Sequence, residues 1–364
     1  MKKYIIPFII LFTSLISCNV NDTLDIPQQG VLPVDLYKTA NDEQTLGFIA
    51  AIHYNLRGNI YDDRFLNKST GLLRIRQFLG EMGGEFGDYF AYTATSESSI
   101  YSKMWSYYYT NIYWCNMIIT NLPENSVATE SVKNQAIAEA RTIRAIMMMQ
   151  LVQLWGNPPL ADHIMNGTEG NTPAEKSWAF IEKELNEAAS GLPSKKGLDG
   201  QAAIGGRLTK EAAYAYLGKA YLWQKKYTEA ANTLYSKVIA TNLYALVDNY
   251  AKLNSYTSDF CSEYIWECNI SADPALALSQ AGHMDATLHW PTGSMNVPDG
   301  IYSGQGFADG GSASESFGSF MDDHEKLSNA DKSKRYRGTL ATYEDLLDPA
   351  LYTYSGGIKG VKSS

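Results

Sequence analysis

Residues able to break bonds are present in this chain, but without the spacing that catalysis needs. The five histidines, His53, His163, His283, His289 and His324, form no HExxH or other metal-ligand pattern. No GxSxG nucleophile elbow and no phosphate-cradling glycine motif occurs. Acids such as Glu85, Asp88 and Asp322 could supply the carboxylate pair of a glycosidase, but a sequence with 39 acidic residues offers such candidates by chance. What recurs is a pairing of aromatic rings with acids and hydroxyls, drawn from 25 Tyr, 12 Phe and 7 Trp. A ring face stacks on the apolar face of a pyranose, while carboxylates, amides and Arg take its hydroxyls. Two stretches supply both kinds of group. One is Glu85-Phe86-Gly87-Asp88-Tyr89-Phe90-Ala91-Tyr92; the other is the irregular segment after residue 280, with His289-Trp290-Pro291 and Tyr302. For most of the remaining tyrosines the expected role is filling helix interfaces.

The chain that must carry these loops begins with an address. Lys2-Lys3 precede an apolar run from Tyr4 to Ile16, followed by Ser17-Cys18. The run of about 13 residues fits a secretory signal and falls short of the roughly 20 needed to span a bilayer. A Cys directly after a small residue at the cleavage junction resembles the lipobox of bacterial lipoproteins. That resemblance implies cleavage before Cys18, lipidation of Cys18 and stable membrane anchoring. Residues 1–17 are then the signal, 18–40 a lipidated tether marked by Pro27, Gly30 and Pro33, and 41–364 a single domain. Loss of Lys2 and Lys3 leaves 28 basic against 39 acidic residues, a balance of −11 that disfavours nucleic acid as a partner. Three cysteines remain: Cys115 reads as a small buried hydrophobe in a helix, and Cys261 with Cys268 could pair in an oxidising compartment.

Helical periodicity dominates residues 41–245. Leu46, Ile49, Ala50 and Tyr54 mark a first helix after Asn41-Asp42. Trp105, Tyr108, Ile112, Cys115 and Ile119 recur at spacings of three and four, which predicts a helix over 99–121 closed by Pro123. Ala136, Ala140, Ile143, Met147, Leu151 and Leu154 predict one apolar face on a helix from Glu130 to Trp155, stopped by Gly156 and Pro158-Pro159. Thr172-Pro173-Ala174-Glu175 reads as a capping box, with Pro173 at the first helical position of a helix running to about Ala189. Thr209 opens another helix and Thr228 its partner. The spacing of Leu217, Gly218, Tyr221, Ala230 and Leu234 is that of a tetratricopeptide pair, with Gly218 permitting close helix approach. The 130–156 and 173–190 helices resemble an earlier, degenerate pair. Two pairs fall short of the three a free-standing solenoid needs, so they must pack on other parts of the chain. Residues 246–364 read as loop-rich.

Several strings together are similar to one family. They are Leu24-Asp25-Ile26-Pro27-Gln28; Tyr113-x-x-Asn116 with Ile118-Ile119; Ala138-Glu139-Ala140-Arg141 with Arg144-Ala145, ending in Leu154-Trp155-Gly156-Asn157-Pro158-Pro159-Leu160; and Arg207-Leu208-Thr209-Lys210 with Ala212-Ala213. With the lipobox they resemble the SusD/RagB family of outer-membrane nutrient-binding lipoproteins. The resemblance implies a mostly α fold of tetratricopeptide-like pairs whose long irregular loops build a glycan site. It implies no enzyme activity and no cofactor. It implies a location at the outer membrane facing outward, a TonB-dependent outer-membrane barrel as partner, and oligosaccharide as ligand. Peptide import, as in some members, and a helical-repeat scaffold binding only protein are the alternatives. Carried onto this sequence, the family's site falls on Asp88, Tyr89 and Tyr92 in the first loop and on Trp290 and Tyr302 in the second. Family members usually continue further with an amphipathic helical segment, so the region after 246 is expected to be incomplete. Glu139, Arg141 and Arg144 could clamp a ligand or join helices as ion pairs; the packing signature around them favours ion pairs. Asn116 reads as a satisfied core amide and His53 as interfacial.

Overall fold

The structure, a computed structural model, describes residues 34–57, 95, 97, 99–195, 206–248 and 260–267. These residues form α1 (Val34–Thr39), α2 (Asp42–Arg57), α3 (Ser99–Asn121), α4 (Glu130–Trp155), α5 (Ala174–Gly191), α6 (Lys210–Trp223) and α7 (Tyr227–Lys237), with short 3-10 turns at Leu122–Glu124 and Ile239–Thr241. No strand occurs among the described residues, and none of their helices is long and apolar enough to cross a membrane. The fold is mostly α, as the periodicity predicts.

Helix α4 is the axis of the body. It packs against α2, α3 and α5; α6 packs on α5, and α7 on α6. The predicted single apolar face understates this helix. Ala138 and every residue from Thr142 to Val152 are buried, because neighbours cover α4 on several sides, while Leu154 at its end is 36% exposed. On α3 the expected face holds: Tyr108, Ile112 and Cys115 are fully buried, and Trp105 and Ile119 pack against the core. Burial pushes the Cys115 thiol up to about 12, consistent with an inert core position.

The helix ends follow local chemistry in some places and distant contacts in others. Asn41 and Gln44 form a reciprocal cap: Asn41 Oδ1 accepts from the Gln44 N–H (2.9 Å), and Gln44 Oε1 accepts from the Asn41 N–H (3.0 Å). Gly156, with φ +75°, ends α4 in a conformation that favours glycine, its N–H donating to the Val152 carbonyl. The capping box expected at Thr172 is absent. Pro173 is the cap residue of α5 and not its first turn; the Thr172 hydroxyl accepts from the Leu160 N–H, and Asn157 Oδ1 caps α5 by accepting from the Ala174 N–H (2.9 Å). Helix α7 starts at Tyr227, one residue before the predicted Thr228, because Lys225 at φ +61° and Lys226 complete the turn. At Gly218 a Cβ would lie 2.4 Å from Leu234 Cγ and Cδ2, so glycine is what lets α6 and α7 meet.

The end of the expected 18–40 tether falls in the helical body, while residues 18–33 lie outside the described residues. Val34–Thr39 is helical, and Tyr37 and Ala40 are buried, with the Tyr37 ring against Phe48 at 4.5 Å. Asn125, 3% exposed, pins this helix: its Nδ2 donates to the carbonyls of Tyr37 (2.7 Å) and Ala40 (2.9 Å). Its Oδ1 accepts from the N–H groups of Val127 and Ala128, and its carbonyl accepts from Lys133 Nζ.

Candidate functional site

The polar chemistry of the described body is concentrated in carboxylates held inside it. Glu184 on α5, 3% exposed, faces two arginines of α4. Arg144 donates to Glu184 Oε2 through Nε (3.1 Å) and Nη2, and its Nη1 reaches Asn116 Oδ1 (2.6 Å) and the Asp162 carbonyl (3.1 Å). Arg141 donates to Glu184 Oε1 (2.7 Å) and, at the rim, to Glu187. Asn116 in turn donates to the carbonyls of Ala161 and His163. Arg144, Glu184 and Asn116 spend all their side-chain polar atoms on protein partners, so the arginines join α3, α4, α5 and the 156–173 connection, as the packing signature suggests. The planar fork of Arg suits such bidentate contacts.

A second seam leads out of the helices. Glu139 on α4 has a fully buried side chain that accepts from Arg207 Nε (2.8 and 3.0 Å), Gln135 Nε2 (3.1 Å) and His53 Nε2 (3.0 Å). Burial pushes its carboxyl upward, but the hydrogen bonds from His53 and Arg207 and their charges win and hold it below the usual carboxylate range. His53 meets Trp266 directly, and Arg207 is joined to it through the neighbouring Gly206. The His53 ring stands edge-on to the Trp266 ring at 6.0 Å, and Trp266 Nε1–H donates to the carbonyl of Gly206, the residue before Arg207 (3.0 Å). Tyr216 on α6 closes the other side at 6.2 Å, its own hydroxyl pushed up to about 12 by burial.

Glu211 on α6, 1% exposed, repeats the arrangement nearby. It accepts from the Ser194 hydroxyl and the Lys195 N–H (3.2 Å). Lys195 Nζ then sits 4.4 Å from the centre of the Tyr244 ring and donates, at 3.4 Å each, to the carbonyls of Cys261 and Tyr264. Burial holds this ammonium below its ordinary value, against the opposing pull of nearby acidic groups. Residues 260–267 therefore form a strap gripped at one end through Lys195 and at the other through Trp266. A narrow cleft between the strap and 206–209 is lined by Lys195, Arg207, Phe260, Tyr264 and Trp266 among others. Sequence reading missed this strap. The available signal was a short aromatic-rich stretch, Phe260 to Trp266, after the last periodic helix.

All five predicted ligand contacts, Asp88, Tyr89, Tyr92, Trp290 and Tyr302, lie outside the described residues, as do Cys18 and Cys268. Among the described residues no group of three His, Cys, Asp or Glu is placed to hold a metal ion.

Comparison with known proteins places this architecture. Residues 87–222 match a family model, SusD-like, described as starch-binding and associating with the outer membrane. A curated SusD-like protein of Formosa agariphila is 23% identical over 280 residues, covering 74% of this chain and 52% of its own length. A SusD superfamily protein of Bacteroides thetaiotaomicron superposes with a TM-score of 0.58 at 16% identity, over 78% of this chain and 62% of that one. A laminarin-binding SusD-like protein superposes with a TM-score of 0.51 at 24% identity, over 62% and 50%. The chain spans about half the length, or less, of the curated relatives it matches.

Proposed function

The chain belongs to the SusD-like family, and on that premise we propose that it is an outer-membrane lipoprotein that binds oligosaccharide and passes it to a TonB-dependent barrel. The observation that carries the reading is the family match itself, over residues 87–222, to a model described by starch binding and outer-membrane association. The laminarin-binding relative of the same fold supports a carbohydrate ligand. In this reading Cys18 bears the lipid anchor and the protein faces outward. Asp88, Tyr89 and Tyr92 form one side of the glycan site and Trp290 and Tyr302 the other, with rings stacking on sugar faces and the carboxylate taking hydroxyls. No bond is broken; the protein concentrates ligand at the transporter mouth.

Isothermal titration of the protein against laminarin, xyloglucan and starch oligosaccharides tests it. Saturable binding to one of them is expected, weakened at least tenfold, or about 1.4 kcal/mol, by Tyr92→Ala or Trp290→Ala. Binding of peptides with no response to any glycan would replace the ligand by peptide. Ligand interactions untouched by either substitution would favour a scaffold that binds only protein. Radiolabelled palmitate in the wild type but not in Cys18→Ser is the expected result for the anchor.

A further inference from the structure

Two separate contacts lead from one buried carboxylate to one indole. The first runs from Glu139 through the Arg207 guanidinium and the adjoining backbone to the Gly206 carbonyl, which receives the Trp266 N–H. The second runs from Glu139 through the His53 ring, whose edge packs on the Trp266 ring. Glu139 is completely buried and its carboxylate holds Arg207, His53 and Gln135, so losing its charge weakens that hold. Arg207 and His53 are each partly exposed, with side chains 25% and 19% accessible, so water can satisfy them once Glu139 lets go.

We propose that Glu139 is a positioning residue that seats the Trp266 end of the strap 260–267 on the helical body, and that this end comes loose when Glu139 is neutralised while Lys195 keeps its hold on the other. The helices need not unfold for this. Bonds of the strap among the described residues include some to itself, to Lys195 and to the 245–247 segment: the Phe260 N–H donates to Glu267, the Val247 N–H to Glu263, and the Ala245 N–H to the Ser262 carbonyl. Such an element can open locally at a free energy below that of global unfolding. In the proposed glycan binder the strap leads into the chain that carries Trp290, so its seating also tunes affinity; this clause alone rests on the family reading.

Hydrogen exchange followed by mass spectrometry on the full chain tests the proposal. In Glu139→Gln, exchange around Trp266 is expected to rise roughly tenfold or more while α4 and α5 keep their protection. His53→Gln and Arg207→Gln should each give part of that rise and together reproduce it, which also covers the case in which Glu139→Gln fails to fold. Trp266→Ala should loosen the strap by itself, and adding Glu139→Gln should then change little, since both act on one contact. An unchanged strap, an equal loss of protection in α4 and α5, or additive effects of Glu139→Gln and Trp266→Ala would overturn the proposal. Absence of glycan binding by the wild type would sink the carbohydrate reading and leave the exchange result standing.

Discussion

Helices α4 and α5 meet at a glycine, as α6 and α7 do, with different chemistry around it. In the first pair a Cβ on Gly191 would sit 2.8 Å from Ala138 Cβ and 3.1 Å from the Asn134 carbonyl oxygen, and Arg141 and Arg144 lock onto Glu184. In the second pair the close approach is Gly218 against Leu234, a steric fit; among the described residues no ion pair joins the two helices, and Lys237 of α7 meets only the Tyr214 ring of α6, 5.5 Å from its centre. The difference follows from burial. Helix α4 is covered over much of its length, so buried charged groups such as Glu139 and Arg144 find protein partners, and those partners fix its rotation. Helix α7 buries only Ala230, and water serves its remaining polar groups. A charged lock belongs where solvent is excluded; at the edge, shape suffices.

The largest break in that contrast is expected at Arg144. Arg144→Met leaves Glu184 buried with Arg141 as its remaining cation and strips Asn116 of a donor; a loss of about 3–5 kcal/mol in urea unfolding is expected. Next comes Gly191→Ala. Its new methyl meets another Cβ and a backbone oxygen, which cannot swing aside, so a cost of roughly 1–3 kcal/mol is expected. Gly218→Ala meets only the Leu234 side chain and gains about 0.5–1 kcal/mol of helix propensity, so its net effect should be smaller. Reversal of that order in thermal melts would mean the second pair is the more tightly keyed.

Acid sharpens the contrast. Glu139 has its folded carboxyl held below the ordinary value, so it adds stability above about pH 4.3, the ordinary Glu value, and that stability is lost as pH falls through the lowered one. Melting temperatures across this range should converge between wild type and Glu139→Gln as pH drops. The smallest effect is expected at Glu187, whose side chain is 43% exposed: Glu187→Gln should cost no more than about 0–1 kcal/mol and less still in high salt.

The sequence was most readable where structure is decided locally. Spacing located α3 and α4, Gly156 marked the end of α4, and Gly218 announced a close crossing. It misled where a distant residue intervenes. Asn157 takes over the cap that Thr172 seemed to provide, and nothing near Thr172 signals this. Arg141 and Arg144 were legible as ion-pair formers, but their partner Glu184 lies 40 residues away from Arg144. The Glu139 seam was harder still, since its three other members come from α2, the 206–209 connection and a segment with no periodicity. The candidate ligand residues rest on family resemblance, because aromatic and acidic residues in a loop carry no geometric constraint of their own.

Asn125 has a mechanical consequence. It grips α1 by two carbonyls, not by side chains, so the hold is indifferent to which residues α1 carries at those positions. Tension applied to the chain upstream of Val34 passes through those two bonds into the Asn125 loop, and from its carbonyl to Lys133 near the start of α4. Force entering at Val34 thus has a hydrogen-bonded route to the central axis of the body, beside the covalent one through α2.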